Sequence, residues 1–221
     1  MNPDESPDEV VARSRLAGAL QRLGHGLVGH RIDRGLADRI TTVVEDIEQE
    51  VITRPARSRA AEVSASARFT DTEWEPIGAD GEPMELFRDS VVSGSTNPMG
   101  IGLQARRVGD AVEAVASLGA AFEGAPGRAH GGVIAAVLDE TMGYVLPVVG
   151  TLAYTANLNI DYIAPAPLHE ELRFTARLRD RAGRKLWIEA RGDSASGTFV
   201  RAEGLFLAID RSHFAQGAAD A

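Results

Sequence analysis

The chain has 221 residues, of which 44% are hydrophobic and 25% charged, and a formal net charge of −9 at pH 7. This length can bury a sizeable core and fits one domain with an extension, or two small domains. The negative charge argues against nucleic acid as the main partner, and the absence of cysteine excludes disulfides, thiolate catalysis and zinc–thiolate sites.

The N-terminal part of the chain is predicted to be helical. Residues 1–15 are acidic and lack the basic-then-apolar order of a signal peptide, so we expect a cytoplasmic protein. Residues 8–53 carry apolar residues three and four apart, which is typical of helices. Residues 54–83 lack such periodicity and indicate a connector.

From about residue 84 the apolar residues follow the period of two that is typical of β-strands. The first candidate strands are 84–92, 99–107 and 111–118. After an apolar stretch, four further alternating runs predict antiparallel strands at 152–163, 172–179, 185–192 and 198–209. We therefore predict three parts, namely a helical extension and connector (1–75), a main domain (76–212) and a flexible tail (213–221).

Residues 131–150 form an apolar stretch between the two groups of strands. Asp139 and Glu140 lie side by side near its middle, where charges would be costly in lipid, so we predict a buried helix and no membrane span. A curved antiparallel sheet wrapped around this one long helix would cover most of its apolar surface. The expected fold class is α+β, and a partner is expected to cover the rest of the helix.

The start of this helix carries the residues that indicate chemistry. Gly131 and Gly132 follow His130, at a position where the first backbone N–H groups have no intrahelical acceptor. Glycine lets a ligand approach these amides, so they suit a carbonyl oxygen that becomes negative during acyl transfer. Asp139 lies eight residues after Gly131 on an otherwise apolar helix, where it can serve as a general base.

Each of these features also has a plain structural interpretation. The two glycines could form a simple junction between loop and helix. Asp139 could be a structural carboxylate that pairs with a buried arginine. Glu140 points about 100° away around the helix axis, where we expect a salt-bridged or dimer-contact residue, and it is the fallback base if Asp139 is not the base.

The spacing of the two groups predicts a site shared between subunits. Eight residues at about 1.5 Å each place Asp139 roughly 12 Å along the axis from Gly131, so one helix cannot present both groups to the same carbonyl. Two antiparallel helices related by a two-fold axis can do so. We therefore expect a homodimer.

These residues resemble the hotdog-fold acyl-CoA thioesterases of the PaaI and thioesterase-superfamily-member branch. The shared signature is His-Gly-Gly followed by a helix with an acidic residue eight positions after the first glycine, here His130, Gly131, Gly132 and Asp139. The stretch from Tyr154 to Tyr162 (YTANLNIDY) is similar to the branch that contains the mammalian mitochondrial acyl-CoA thioesterases. The Asn97-Pro98 and Gly183-Arg184-Lys185 segments are also similar, and the resemblance covers about residues 84–209.

The resemblance implies the hotdog fold and hydrolysis of acyl-CoA thioesters to free acid and coenzyme A. No metal or other cofactor is implied, since coenzyme A is part of the substrate. Asp139 would activate water or attack the thioester directly, and the amide of Gly131 would polarise the carbonyl. His130 would help shape that end of the site, and Thr155 would orient the water. Homodimers of the family often pair into homotetramers.

Two residues depart from this pattern. Gly124 stands where some relatives have an asparagine, six residues before the histidine. Thr155 falls on the polar face of its strand by parity, so it points away from Asp139 unless a bulge or a strand end redirects it.

The candidate substrate-binding residues are Gly132 and Asn97, with three basic residues around Gly183, namely Arg181, Arg184 and Lys185. For the basic residues two interpretations stay open, a solvated turn and a clamp for the phosphates of coenzyme A. Two other functions also stay open. One is a hotdog dehydratase or hydratase, and the other is a non-catalytic acyl-thioester-binding protein whose helical extension is an interaction arm.

Overall fold

The structure is a computed structural model that describes residues 5–58 and 79–210. Most of the predicted connector and the tail over 213–221 lie outside these residues. The described N-terminal residues form helix α1 (Pro7–Gly29) and helix α2 (Arg34–Val51), which confirms the helical prediction for residues 8–53.

Among the described residues, seven strands form one antiparallel sheet in the order β1-β2-β3-β5-β6-β7-β4. β4 is therefore an edge strand. The strands before the central helix are β1 (Pro83–Met84), β2 (Gln104–Val108) and β3 (Ala111–Ser117). The strands after it are β4 (Ala153–Tyr162), β5 (Glu171–Ala182), β6 (Lys185–Ser194) and β7 (Gly197–Ala208), as the four alternating runs predicted.

The central helix α3 (Gly131–Gly143) is followed at once by the short helix α4 (Val145–Val148). α3 contacts β3, β4, β5, β6 and β7, and its buried residues include Ile134, Val137 and Leu138. Burying a side chain of this kind stabilises the fold by about 1.5–3 kcal/mol. The sheet wrapped around one central helix confirms the predicted hotdog fold.

The helix lies close to the sheet because β7 has a glycine beneath it. A Cβ on Gly204 would lie 2.8 Å from the sulfur of Met142 and 2.6 Å from the Phe206 ring. The segment Gly131–Val148 is long and apolar enough to cross a membrane, yet 56% of it is buried inside the protein. Its contacts are those of a core helix.

The predicted strands at 84–92 and 99–107 are wrong for most of their length. Only Met84 of the first and 104–107 of the second lie in strands. The loop between them folds on itself, since the N–H groups of Ile101 and Leu103 donate to the carbonyls of Val91 and Val92. These bonds satisfy the backbone without a neighbouring strand.

Candidate active site

α3 contacts the edge strand β4 at its first residue, Gly131, and again two turns later at Asp139. Near the start of β4, the Thr155 hydroxyl donates to Oδ1 of Asp139 at 2.8 Å. At the end of β4, the Tyr162 hydroxyl donates to the carbonyl of Gly131, also at 2.8 Å. The candidate base and the candidate amide therefore lie along the same edge of the sheet.

Thr155 reaches Asp139 because β4 contains a bulge. The pairing with β7 shifts between Thr155 and Asn157, so Thr155 lies opposite Phe206 and Leu158 lies opposite Gly204. Both β7 residues face the core. Thr155 is thus on the inner face, although strict alternation put it on the outer one. β4 therefore contains the bulge that is needed to turn Thr155 toward Asp139.

Asp139 is partly buried, while Thr155 is exposed. A single hydroxyl donor on Oδ1 leaves the other carboxylate oxygen able to accept from a further donor such as water. Within the part of the chain that the structure describes, Asp139 pairs with this hydroxyl and not with the buried arginine of the structural interpretation.

The start of α3 is held by three hydrogen bonds. The main-chain N–H of His130 donates to the carbonyl of Phe122 at 2.8 Å. Nδ1 of His130 caps the helix by accepting from the N–H of Gly132 at 3.0 Å. Together with the bond from Tyr162, this fixes both polar groups of the Gly131–Gly132 peptide.

The N–H of Gly131 has no acceptor among the described residues. It lies at the positive end of α3, where backbone amides attract negative charge. A helix start with this arrangement can stabilise an oxyanion.

Tyr162 is a residue of the site for which the sequence motifs did not indicate a role. Its ring lies 3.5 Å from the position of a Cβ on Gly131, and 54% of the residue is exposed. It lies four residues after Leu158, on the inner face of β4. The alternation of inner and outer residues along β4 could have indicated Tyr162, since it places this long polar-tipped side chain beside the start of α3.

The departure at Gly124 has a structural reason. A Cβ on Gly124 would lie 2.7 Å from Cα of His130 and 3.2 Å from its Cβ. An asparagine side chain cannot occupy this position unless the His130 backbone moves. The close approach of loop and helix start therefore explains the glycine.

Glu140 is anchored away from Asp139. Its Oε1 accepts from the Ser90 hydroxyl at 2.7 Å and from the Ser93 hydroxyl. The Tyr144 hydroxyl donates to Ser93, and burial raises the pKa of Tyr144 to about 12. Glu140 thus ties the 84–103 loop to α3.

Of the other candidate substrate residues, Asn97 and Arg184 lie on loops, Arg181 lies near the end of β5, and Lys185 begins β6. The side chain of Asn97 donates to the carbonyl of Asp89 and accepts from the N–H of Met99, so its amide is used within the loop. Arg184 donates from Nε to the carbonyl of Ala208 at 2.9 Å. Arg181 and Lys185 are exposed.

The basic turn, which consists of Arg181, Arg184 and Lys185 around Gly183, lies at the same end of the sheet as Thr155. Lys185 pairs with Leu207, and Leu207 pairs with Tyr154, the neighbour of Thr155. Two strand spacings of about 4.8 Å separate these backbones.

Residues 126–199 match the Thioesterase superfamily. This segment contains α3, β4 and the contacts made by Gly131, Asp139 and Thr155. The chain is 36% identical to acyl-coenzyme A thioesterase THEM4 of Mus musculus over 91 residues, which cover 40% of this chain and 39% of that protein. The THEM4 protein of Bos taurus is 33% identical over 91 residues, 40% of this chain and 37% of that protein. The chain thus spans well under half the length of the curated relatives it matches.

A solved structure shows the same fold over nearly the whole chain. The crystal structure of a thioesterase superfamily protein superposes with a TM-score of 0.72 and 23% identity, covering 94% of this chain and 93% of that chain. The E. coli PaaI protein from the phenylacetic acid degradation operon gives a TM-score of 0.47 and 17% identity, over 50% of this chain and 81% of that one. The family match over residues 126–199 and the identity to the THEM4 proteins confirm the predicted resemblance to thioesterases, and the first structure confirms the fold.

Proposed function

We propose that this chain, which carries a thioesterase superfamily domain, hydrolyses acyl-coenzyme A to the free acid and coenzyme A. One observation carries the proposal. A helix start with an available Gly131 amide and a partly buried Asp139 bound by Thr155 lie along one sheet edge. The names of the THEM4 relatives support the substrate class.

The proposed reaction is acyl transfer to water. The Asp139 carboxylate takes a proton from a water molecule, whose oxygen attacks the thioester carbon. The carbonyl oxygen becomes negative and accepts a hydrogen bond from the N–H of Gly131. When the intermediate collapses, the carbon–sulfur bond breaks and the thiolate leaves, taking up the proton. Direct attack by Asp139 would form an acid anhydride that water then hydrolyses. Neither route needs a metal or a redox cofactor.

The two groups would come from different subunits. Gly131 and Asp139 lie in one continuous helix, so about 12 Å of helix axis separates them. The edge strand β4 can pair with a second copy of itself, and it carries the exposed aromatic side chains of Tyr154 and Tyr162. Antiparallel pairing about a two-fold axis near the middle of β4 brings the Tyr162 end of one copy to the Thr155 end of the other. Each Gly131 then faces the partner's carboxylate.

The basic turn is proposed to bind the phosphates of coenzyme A. Arg181 and Lys185 are exposed at the sheet end that holds Thr155 and Asp139. In a chain with a net charge of −9, a local group of cations would favour an anionic substrate at this end.

The position of His130 favours hydrolysis over dehydration or hydration. A dehydratase would use the imidazole to move a proton on the acyl chain. Here Nδ1 accepts from the N–H of Gly132 and serves as a helix cap. The other alternative is a non-catalytic acyl-thioester-binding protein. The assay of thiol release distinguishes it from an enzyme.

The test is release of free thiol over a panel of acyl-CoAs, to which a chain without cysteine adds no background. We expect turnover of at least one acyl chain and a loss of about a hundredfold or more for Asp139→Asn and Asp139→Ala, because a general base is removed. The matched control is Asp161→Asn, since Asp161 is an exposed carboxylate on the outer face of β4. Acyl-CoA binding without turnover, or full activity of Asp139→Ala, would contradict the proposal.

A further inference from the structure

Helix α1 lies outside the matched domain, yet one of its faces contacts the main body. This face consists of residues four apart, namely Ala17, Gln21, His25 and Gly29. Ala17 is 1% exposed, and Nε2 of Gln21 donates to the carbonyl of Asn97 at 2.8 Å. At Gly29 a Cβ would lie 3.3 Å from Cβ of Ala120, so the helix passes close to the turn at 120–122.

His25 makes the closest contact between α1 and this turn. Its Nδ1 accepts a hydrogen bond from the N–H of Ala121 at 3.1 Å. Its ring meets the ring of Phe122 edge-on, with centroids 5.0 Å apart. On the other side, a Cβ on Gly119 would lie 2.7 Å from Nδ1. The imidazole therefore fits closely against the turn.

The turn connects His25 to the start of α3. Residues Ala120–Phe122 form one turn of 3₁₀-helix. The carbonyl of Phe122 accepts the N–H of His130, which caps α3 and precedes Gly131. A single residue, Phe122, thus contacts both the imidazole of α1 and the cap of the catalytic helix.

We propose that His25 is a positioning residue, whose neutral imidazole holds the 119–122 turn and, through it, the His130 cap and the amide of Gly131. This inference rests on the thioesterase function proposed above. Acceptance of the Ala121 N–H requires an unprotonated Nδ1, because an imidazolium ring has two donors and no acceptor.

The surroundings of His25 favour its neutral form. Burial, with a smaller contribution from the nearby charge of His169, lowers the pKa of His25 from its ordinary value of 6.5. His169 lies between β4 and β5, and residues 118–122, which also face the ring, carry no titratable side chain. A lowered folded-state pKa means that the contact is complete above pH 6.5 and weakens as the pH falls below that value.

The experiment compares two substitutions of His25 in the full chain. His25→Asn places Oδ1 the same number of bonds from Cβ as Nδ1, so it keeps an acceptor that does not titrate. His25→Phe keeps an aromatic ring and removes the acceptor. His30→Asn is the matched control, since His30 is exposed at the end of the same helix.

We expect kcat for thiol release to fall about tenfold in His25→Phe with KM nearly unchanged, because the amide donor is displaced by a fraction of an ångström. His25→Asn and His30→Asn should stay within about twofold of wild type. The ratio of wild-type to His25→Asn activity should fall as the pH drops below 6.5, whereas a purely structural role would leave this ratio constant. The unfolding temperature of each variant is measured to detect loss of fold.

Full kcat in His25→Phe, or an equal loss in His25→Asn and His25→Phe, would overturn the proposal. If the wild-type chain releases no thiol, the thioesterase proposal fails, and amide hydrogen exchange tests the positioning role by itself. His25→Phe should then speed exchange at His130 and Gly132, whose N–H groups are bonded at the helix start. Unchanged exchange at both amides would refute the role of His25.

Discussion

The first backbone N–H groups of a helix lack intrahelical acceptors, and the starts of α1 and α3 differ in how these groups are capped. At α1, the Ser6 side chain accepts from the N–H of Glu9, and the Glu9 carboxylate accepts from the N–H of Ser6. Pro7 at the first position lacks an N–H. At α3, the cap is the His130 ring, two glycines follow, and the first turn has no acidic residue.

The difference follows from how each helix is stabilised. Most of α1 is exposed, and Ala17 is the residue it buries, so its cap contributes a notable share of its stability. α3 is stabilised by buried residues such as Ile134, Val137 and Leu138, so its cap contributes a smaller share of its stability. A helix stabilised by packing can leave an amide available for chemistry. Changes at the start of α3 should therefore alter activity, and changes at the start of α1 should alter stability.

Among changes that test this contrast, the largest effect is expected for Gly131→Ala. The added Cβ would lie 3.5 Å from the Tyr162 ring, which is an ordinary contact, so the fold should be retained. The methyl group lies beside the available amide and hinders the thioester carbonyl, so thiol release should fall by about ten- to a hundredfold.

Gly143→Ala is the matched control for Gly131→Ala. Gly143 is the last residue of the same helix, and a Cβ there would meet no atom within 4 Å. It should keep full activity and unfold at the same or a higher temperature, because alanine favours the helix. Equal activity losses in both variants would show that the start of α3 has no special role.

A smaller effect is expected for Thr155→Val, which keeps the branched shape and removes the donor to Asp139. A hydrogen bond to a charged group contributes about 1.5–3 kcal/mol, and because Thr155 is exposed we expect the lower end of this range and a fall in kcat of about tenfold. Thr175→Val, on β5 three strands away from β4 in the sheet, is the control. Steady-state thiol release measures both, and wild-type kcat in Thr155→Val would rule out a role for this hydroxyl.

The smallest effect on activity is expected at the start of α1. Ser6→Ala should lower the free energy of unfolding by about 1 kcal/mol, because the N–H of Glu9 loses its acceptor. Ser6→Asp should retain stability, since aspartate also caps helices well. Denaturant unfolding gives both values. A drop in kcat for Ser6→Ala as large as that for Thr155→Val would contradict the contrast between the two helix starts.

The spacing of apolar residues within each single stretch of sequence predicted most of the helices and strands. The alternating runs after the helix became β4–β7 because β5, β6 and β7 each have one buried face and β4 has a partly buried one. The same reasoning was wrong at 84–92, where the buried residues belong to a loop. There Ser90 and Ser93 bind Glu140 of α3, a contact fifty residues away that no local period reveals.

For the site, the sequence by itself determined what lies within one helix. Because α3 is regular, the eight-residue interval fixed the separation of Gly131 and Asp139 along its axis. The tertiary structure alone decided which side chains from other elements reach these groups. A bulge against β7 turned Thr155 inward, the end of β4 placed Tyr162 on Gly131, and the contact of α1 placed His25 beneath the cap. Each depends on strand pairing or helix packing between distant segments, which helical spacing does not encode.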